Sequence, residues 1–328
     1  MAFFAIVIAL LLEQVRPLGR THPIASAQLH WVRAVGRNVD AGGQRHGWLA
    51  WVLAVGAPTL LAAGVHWLLN SLGGWPLALL WSVFILYLTL GFRQFSHHFT
   101  AIRDALETGD EARARSLLAE WQQVDVGALP RTEIVRHVIE YSVLATHRHV
   151  FGVLVWFCLL SMLGLGPAGA VFYRAAEFTA RYWRLKSRAP DHPISPALCE
   201  VADTSWRLVD WLPARATALG FAIVGSFEDA VDVWRNHAAR FADPNDGVIL
   251  AATAGAIGVR LGGASLKPLP TEGLGQPAGN PASGLAAEGL PGESARTAHF
   301  AQVVGLVWRT AALWLLLLAL LTLAHVIG

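Results

Sequence analysis

Residues 48–69 read WLAWVLAVGAPTLLAAGVHWLL, and residues 75–92 read WPLALLWSVFILYLTLGF. Neither stretch contains Asp, Glu, Lys or Arg. At about 1.5 Å of rise per residue, the first is long enough to cross a hydrocarbon core about 30 Å thick. Between them, NSLGG at 70–74 supplies polar and glycine turn residues. The pair reads as a membrane hairpin. Pro58 is compatible with it, because neighbouring groups can satisfy the backbone that a proline frees in a span.

The composition agrees. The 328 residues are 54% hydrophobic and only 15% charged, whereas soluble domains carry roughly a quarter charged residues. Trp48, Trp51, Trp67, Trp75, Trp81 and Trp308 lie in or beside apolar runs, where an indole can sit half dry and half wet at a lipid surface. A net charge of +2 excludes the dense basic surface of a nucleic-acid binder. Cys158 and Cys199 form no CxxC pattern, which leaves no cysteine-based metal motif. Residues 1–12 are apolar, with no basic residue before them and no small-residue cleavage signal after them. They are expected to form a short first membrane helix closed by Glu13, not a signal peptide.

Working outward, residues 93–150 alternate acids and bases among helix formers. Gly109 and Asp110 split an amphipathic pattern into two short expected helices. A further helix over 132–141 is expected to continue into the membrane. Residues 151–172 are apolar but broken by Gly164-Leu165-Gly166-Pro167. Arg174, Arg181, Arg184, Lys186 and Arg188 follow, and Arg16, Arg20, Arg33, Arg37 and Arg45 precede the first hairpin. The positive-inside rule places both basic groups in the cytoplasm, which requires a second, re-entrant or crossing hairpin turning at Gly166-Pro167. Segments 211–224, 227–241 and 248–259 are short or polar. Their glycines and alanines suit close helix packing. Residues 266–292 are rich in Pro, Gly, Ala and Ser and read as a loop. A final span covers 303–326.

The expected fold is therefore all-α: a polytopic membrane helical bundle with short or re-entrant segments and cytoplasmic amphipathic helices, five to seven membrane segments in all. The linear division is 1–92 (N-terminal membrane helices), 93–150 (cytoplasmic helical insertion), 151–265 (membrane hairpin and polar motifs), 266–298 (flexible loop) and 299–328 (C-terminal span). The expected surroundings are membrane lipids and a membrane or cytoplasmic protein partner, with no nucleic acid.

Polar groups beside membrane segments are the candidates for chemistry, because an ionisable group there is costly unless paired or functional. Arg20-Thr21-His22-Pro23 follows the first helix. Tyr173, Arg174, Glu177, Arg181 and Tyr182 include three- and four-residue spacings that share a helix face, which equally suits an ion-pair ladder. Asp203, Arg207 and Asp210 recur at helical spacing, and Asp210 is placed to orient Arg215 toward a phosphate or carboxylate if the helix bends at Pro213. Glu228, Asp229 and Asp232 are the metal candidates, suited to Mg²⁺ through waters, although acidic helix faces are common. Asp243-Pro244-Asn245-Asp246-Gly247 is a turn or helix-start signal. Gly258-Val259-Arg260-Leu261-Gly262-Gly263 joins glycine backbone to one arginine. The GxxxxGK[ST], HExxH and GxSxG patterns are absent.

With these motifs in view, the chain resembles the CobD/CbiB–AmpE family of integral membrane proteins. The likeness rests on the short N-terminal helix with His22-Pro23-Ile24, on Asp210-Trp211-Leu212-Pro213-Ala214-Arg215 with Ala218-Leu219, and above all on Pro244-Asn245 followed by Gly255-Ala256-Ile257-Gly258-Val259-Arg260-Leu261-Gly262-Gly263. The resemblance implies a bacterial inner-membrane, multi-pass protein with His22, Glu140, Glu177, Asp210, Arg215, Asn245 and Arg260 as candidate ligand-binding positions. Two functions stay open. The biosynthetic branch has an Asn and an Asp-Gly turn where this chain has Glu140-Tyr141-Ser142 and Ala145-Thr146-His147-Arg148. It has an Asp-bearing segment where this chain has Ala176-Glu177-Phe178-Thr179. These departures, with Phe227-Glu228-Asp229-Ala230 and Trp234, favour an AmpE-like regulatory or interaction protein with no assigned cofactor. The alternative is the cobalamin-biosynthesis amide synthase, which uses ATP and Mg²⁺ to join adenosylcobyric acid, a corrinoid substrate, to aminopropanol or its phosphate.

Overall fold

The computed structural model describes residues 2–15, 23–127, 129–187, 194–263, 266–268 and 291–327. Its elements in chain order are α1 (Ala2–Val15), α2 (Pro23–Val39), α3 (Gln44–Thr89), α4 (Phe92–Glu107), α5 (Glu111–Gln122), β1 (Val124–Asp125), α6 (Arg131–Thr146), a π-helical turn (His147–Phe151), α7 (Gly152–Met162), α8 (Ala168–Lys186), α9 (Pro196–Val224), α10 (Phe227–His237), α11 (Pro244–Ile257), β2 (Lys267–Pro268) and α12 (Ala298–Ile327). The expected all-α membrane bundle is observed. Strand structure among the described residues is slight and includes the antiparallel pair β1–β2, with Val124 opposite Pro268, and a bridge between Val259 and Glu293.

Three described helices are long and apolar enough to cross a membrane: Gln44–Thr89, Arg131–Met162 and Ala298–Ala324. The first is kinked at Gly74, whose φ of 67° and ψ of −163° leave the helical region. Trp81 Nε1 donates to Ala62 O at 3.1 Å. Nineteen residues of straight helix would hold those groups about 28 Å apart, so α3 folds back as the expected hairpin. Leu60, Leu61, Leu68 and Leu72 of α3 and Leu316, Leu320, Leu321 and Leu323 of α12 are exposed. Such leucine surface suits lipid, not water.

The chain divides into two compact units, each discontinuous: residues 1–93 with 148–213, and residues 94–147 with 214–328. In unit 1, α3 packs against α1, α2 and α8, and α7 packs against α1 and α8. Helices α7 and α8 form the expected hairpin around the glycine-proline break. Their approach is close, because a Cβ on Gly169 would run into the carbonyl of Trp156. The loop before α3 is tied to the start of α9: the Asp40 carboxylate accepts from the Ser195 N–H at 2.9 Å and its hydroxyl at 2.6 Å.

In unit 2, α6 packs against α5, α11 and α12, while α10 lies along α11. The split at Gly109-Asp110 is as expected. Gly109 adopts a φ of 80°, and the Asp110 carboxylate caps α5 by accepting from the Arg113 N–H at 2.9 Å. Helix α11 buries almost its whole length. It is too short to span, and Gly255 lets it touch the backbone of α10 at Asp229.

The segment expected at 211–224 is the second half of a longer helix, α9, which runs through Pro213. Proline cannot donate to the carbonyl four residues back, and Trp156 Nε1 takes that place by donating to Val209 O at 3.0 Å. The helix expected over 132–141 does continue, α6 passing into α7 through the π-helical turn. The extra residue in such a turn rotates the side chains that follow it.

Candidate functional site

Unit 1 contributes one face of α8. Glu177 is 5% exposed and lies between two arginines of its own helix, with Arg174 Nη1 at 3.1 Å and Arg181 Nε at 3.0 Å. Each carboxylate oxygen faces one guanidinium, so the buried acid is held from both sides along the helix.

Beside this face, the Tyr173 hydroxyl donates to Asp210 Oδ1 at 2.7 Å. Asp210 is 1% exposed. Gly152 is what makes room for the phenol, since any Cβ there would overlap the Tyr173 ring. Further along α8, Arg184 pairs with Asp203 through Nε at 3.0 Å and Nη2 at 2.6 Å.

Unit 2 gathers the glycine segment and the start of α11. Asp243 caps α11, accepting from the N–H groups of Asn245 at 2.9 Å and Asp246 at 3.1 Å. The capped turn fixes Asn245, whose Oδ1 accepts from Arg215 Nη1 at 2.8 Å. Asn245 is buried and Arg215 half-buried. Arg215 presents a held guanidinium of the kind that recognises phosphate or carboxylate.

Glu140 is also buried. Its Oε1 accepts from Arg136 Nη1 at 2.9 Å and from the Gly262 N–H at 2.7 Å. Arg136 in turn donates to Glu133 at 2.6 and 3.0 Å. This clamp fixes the glycine segment to α6. The other side of the segment is held by backbone bonds, Arg260 N–H to Glu293 O at 2.7 Å and Glu293 N–H to Gly258 O at 2.8 Å. The Arg260 side chain stays exposed, with Nη2 3.3 Å from Gly292 O. In the π-helical turn, His147 Nδ1 lies 2.9 Å from Thr217 Oγ1.

The sequence candidates thus fall into separate groups. Glu177 and Asp210 belong to unit 1, with Tyr173 as the hydrogen-bond partner of Asp210. Arg215 and Asn245 meet in unit 2, as do Glu140 and the segment that carries Arg260. Asp210 accepts from the Tyr173 hydroxyl, and Arg215 donates to Asn245. His22 lies outside the described residues. Glu228, Asp229 and Asp232 are exposed. Asp229 accepts from Ser226 Oγ and Asp232 from Asn236 Nδ2, and among the described residues no group of three His, Cys, Asp or Glu side chains is placed to hold a metal ion. Sequence reasoning missed Arg136, although its four-residue spacing to Glu140 was a readable signal. It also missed the Thr217 contact of His147, for which no local signal exists.

The family model described as CobD/Cbib protein matches residues 2–270. The chain is 31% identical over 326 residues to "Cobalamin biosynthesis protein CobD" of Stutzerimonas stutzeri strain A1501, covering 96% of each chain. The protein of the same name from Chromobacterium violaceum is 33% identical over 267 residues, covering 78% of this chain and 80% of its own. That from Mycobacterium tuberculosis strain H37Rv is 31% identical over 219 residues, 64% of each. No solved structure matches.

These matches overturn the expectation of an AmpE-like regulatory protein, since the relatives that span the chain carry the biosynthetic name. That expectation rested on residue types lost around 140–148 and 176–183 and on Phe227-Glu228-Asp229-Ala230 with Trp234. Glu140 and Glu177, which remain in the first two stretches, are buried acids, each in contact with arginine. The chain belongs to the CobD/CbiB family.

Proposed function

We propose that this protein acts in cobalamin biosynthesis, as a bacterial inner-membrane amide synthase that joins the carboxylate of adenosylcobyric acid to aminopropanol or its phosphate. The observation that carries the reading is the likeness to relatives named as cobalamin biosynthesis proteins, which extends over 96% of the chain. The buried arginine–carboxylate groups support it, because acyl activation passes through anionic phosphate species.

In the proposed reaction, a carboxylate oxygen attacks the γ-phosphorus of ATP, and ADP leaves. The amine then attacks the carbonyl of the acyl phosphate, inorganic phosphate leaves, and the amine loses a proton. Arg215, held by Asn245, is assigned to the charge that develops on phosphate. Gly258–Gly263 backbone beside Arg260 is assigned to anion contact. The described carboxylates form no three-residue metal cage. Mg²⁺ would enter with ATP, whose phosphate oxygens, with water, supply most of its ligands. On this reading the partners are lipid and a corrinoid, with no role for nucleic acid.

The test is restoration of adenosylcobinamide production in a strain lacking the amide-forming step. Wild-type protein should restore it. Arg215→Ala and Asn245→Ala should lower the rate by about 10²-fold, the usual loss when one charge-stabilising donor is removed, at unchanged protein level in the membrane. No restoration by correctly inserted wild-type protein would sink the synthase reading.

A further inference from the structure

Arg174 and Arg181 share one acid. Glu177 gives one carboxylate oxygen to each, at 3.1 Å and 3.0 Å. Helices α3 and α7, the main neighbours of α8 in unit 1, contain no Asp or Glu at all. The acids that α9 brings to α8 have other contacts, Asp203 with Arg184 and Asp210 with Tyr173. The contrast with Arg184 is informative: there one cation meets one acid, whereas two guanidinium groups in direct contact meet a single carboxylate at Glu177. Holding surplus cations in a partly buried place is costly unless an anion or water balances them. The arrangement is also layered. Glu177 is only 5% exposed, but the side chains of Arg174 and Arg181 keep 20% and 23% of their surface open.

We propose that Arg174 and Arg181, positioned from behind by Glu177, bind a phosphate group of a substrate. Each guanidinium has N–H donors beyond the nitrogen that faces Glu177 and can offer them in a planar fork. The site itself follows from unit 1 alone. Only the identity of the phosphate carrier, ATP or aminopropanol phosphate, rests on the synthase reading.

The experiment uses the full chain in detergent and inorganic pyrophosphate as probe. Wild-type protein is treated with phenylglyoxal, with pyrophosphate or with sodium chloride at equal ionic strength, and modified arginines are mapped by mass spectrometry. Selective protection of Arg174 and Arg181 by pyrophosphate is expected, with Arg184 unaffected; equal modification under both salts overturns the proposal. Arg174→Lys and Arg181→Lys, which keep the charge but lose the fork, should each weaken pyrophosphate binding about tenfold or more. Affinity unchanged in both overturns it as well. In turnover assays, a raised KM for ATP or for aminopropanol phosphate in these variants identifies the carrier, and KM values unchanged for both overturn a substrate role. A wild-type protein that forms no amide yet shows the protection would defeat the synthase reading and leave the phosphate site standing.

Discussion

Glu140→Leu is expected to lower the stability of unit 2 by about 3 kcal/mol, the cost of removing one partner from a buried ion pair. Two donors lose their acceptor at once. Arg136, 4% exposed at its side chain, loses its buried acid while Glu133 and the His137 ring stay in contact with it, and the Gly262 N–H loses its bond of 2.7 Å. Thermal unfolding in detergent reads the global effect. Protease cleavage within residues 258–263 reads the local one, because that segment is fixed to α6 through this carboxylate. The double variant Arg136→Met with Glu140→Leu should recover much of the loss, since a buried pair replaced by apolar side chains of similar volume is often near neutral. A loss below about 0.5 kcal/mol for the single variant, the range of unremarkable surface changes, would show that the pair is solvated and does not clamp the glycine segment.

Gly169→Ala should be comparably damaging, by about 3 kcal/mol, the upper part of the usual range for overpacking. The obstacle is the carbonyl of Trp156, and backbone cannot rotate aside as a side chain can. Helices α7 and α8 must separate, which also strains the indole bond that completes the backbone of α9 at Val209. Gly164→Ala is the control. Its position has a φ of 75° but nothing within 4 Å of the added methyl, so its cost is strain alone, about 1 kcal/mol. Thermal midpoints of the two variants, with tryptophan emission as a local probe, should order them with Gly169→Ala well below Gly164→Ala. Equal midpoints would mean that the hairpin is not closely packed at Gly169.

Much of the membrane architecture was legible from local pattern. The α3 hairpin, the α7–α8 hairpin, the two short helices around Gly109-Asp110 and the last span each follow from charge-free length, glycine turns or helical periodicity, which act within a few residues. The candidate acids Glu140 and Glu177 were also visible, because motif resemblance and i, i+3 or i, i+4 spacing are sequence properties. The AmpE-like preference went wrong because it weighed a few altered polar positions, whereas the likeness to the biosynthetic relatives extends over 96% of the chain.

What the sequence by itself determined is that this chain is an all-α membrane protein built of hairpins, since hydrocarbon admits only segments that satisfy their own backbone, and that requirement is written in runs of apolar residues. Tertiary structure alone decided the partners: Asp210 with Tyr173, Arg215 with Asn245, Glu140 with Gly262, and Val209 O with the Trp156 indole at the proline in α9. These contacts join residues 30 to 122 positions apart. The energy of a buried polar group depends on which distant donor reaches it, and no local spacing encodes that choice.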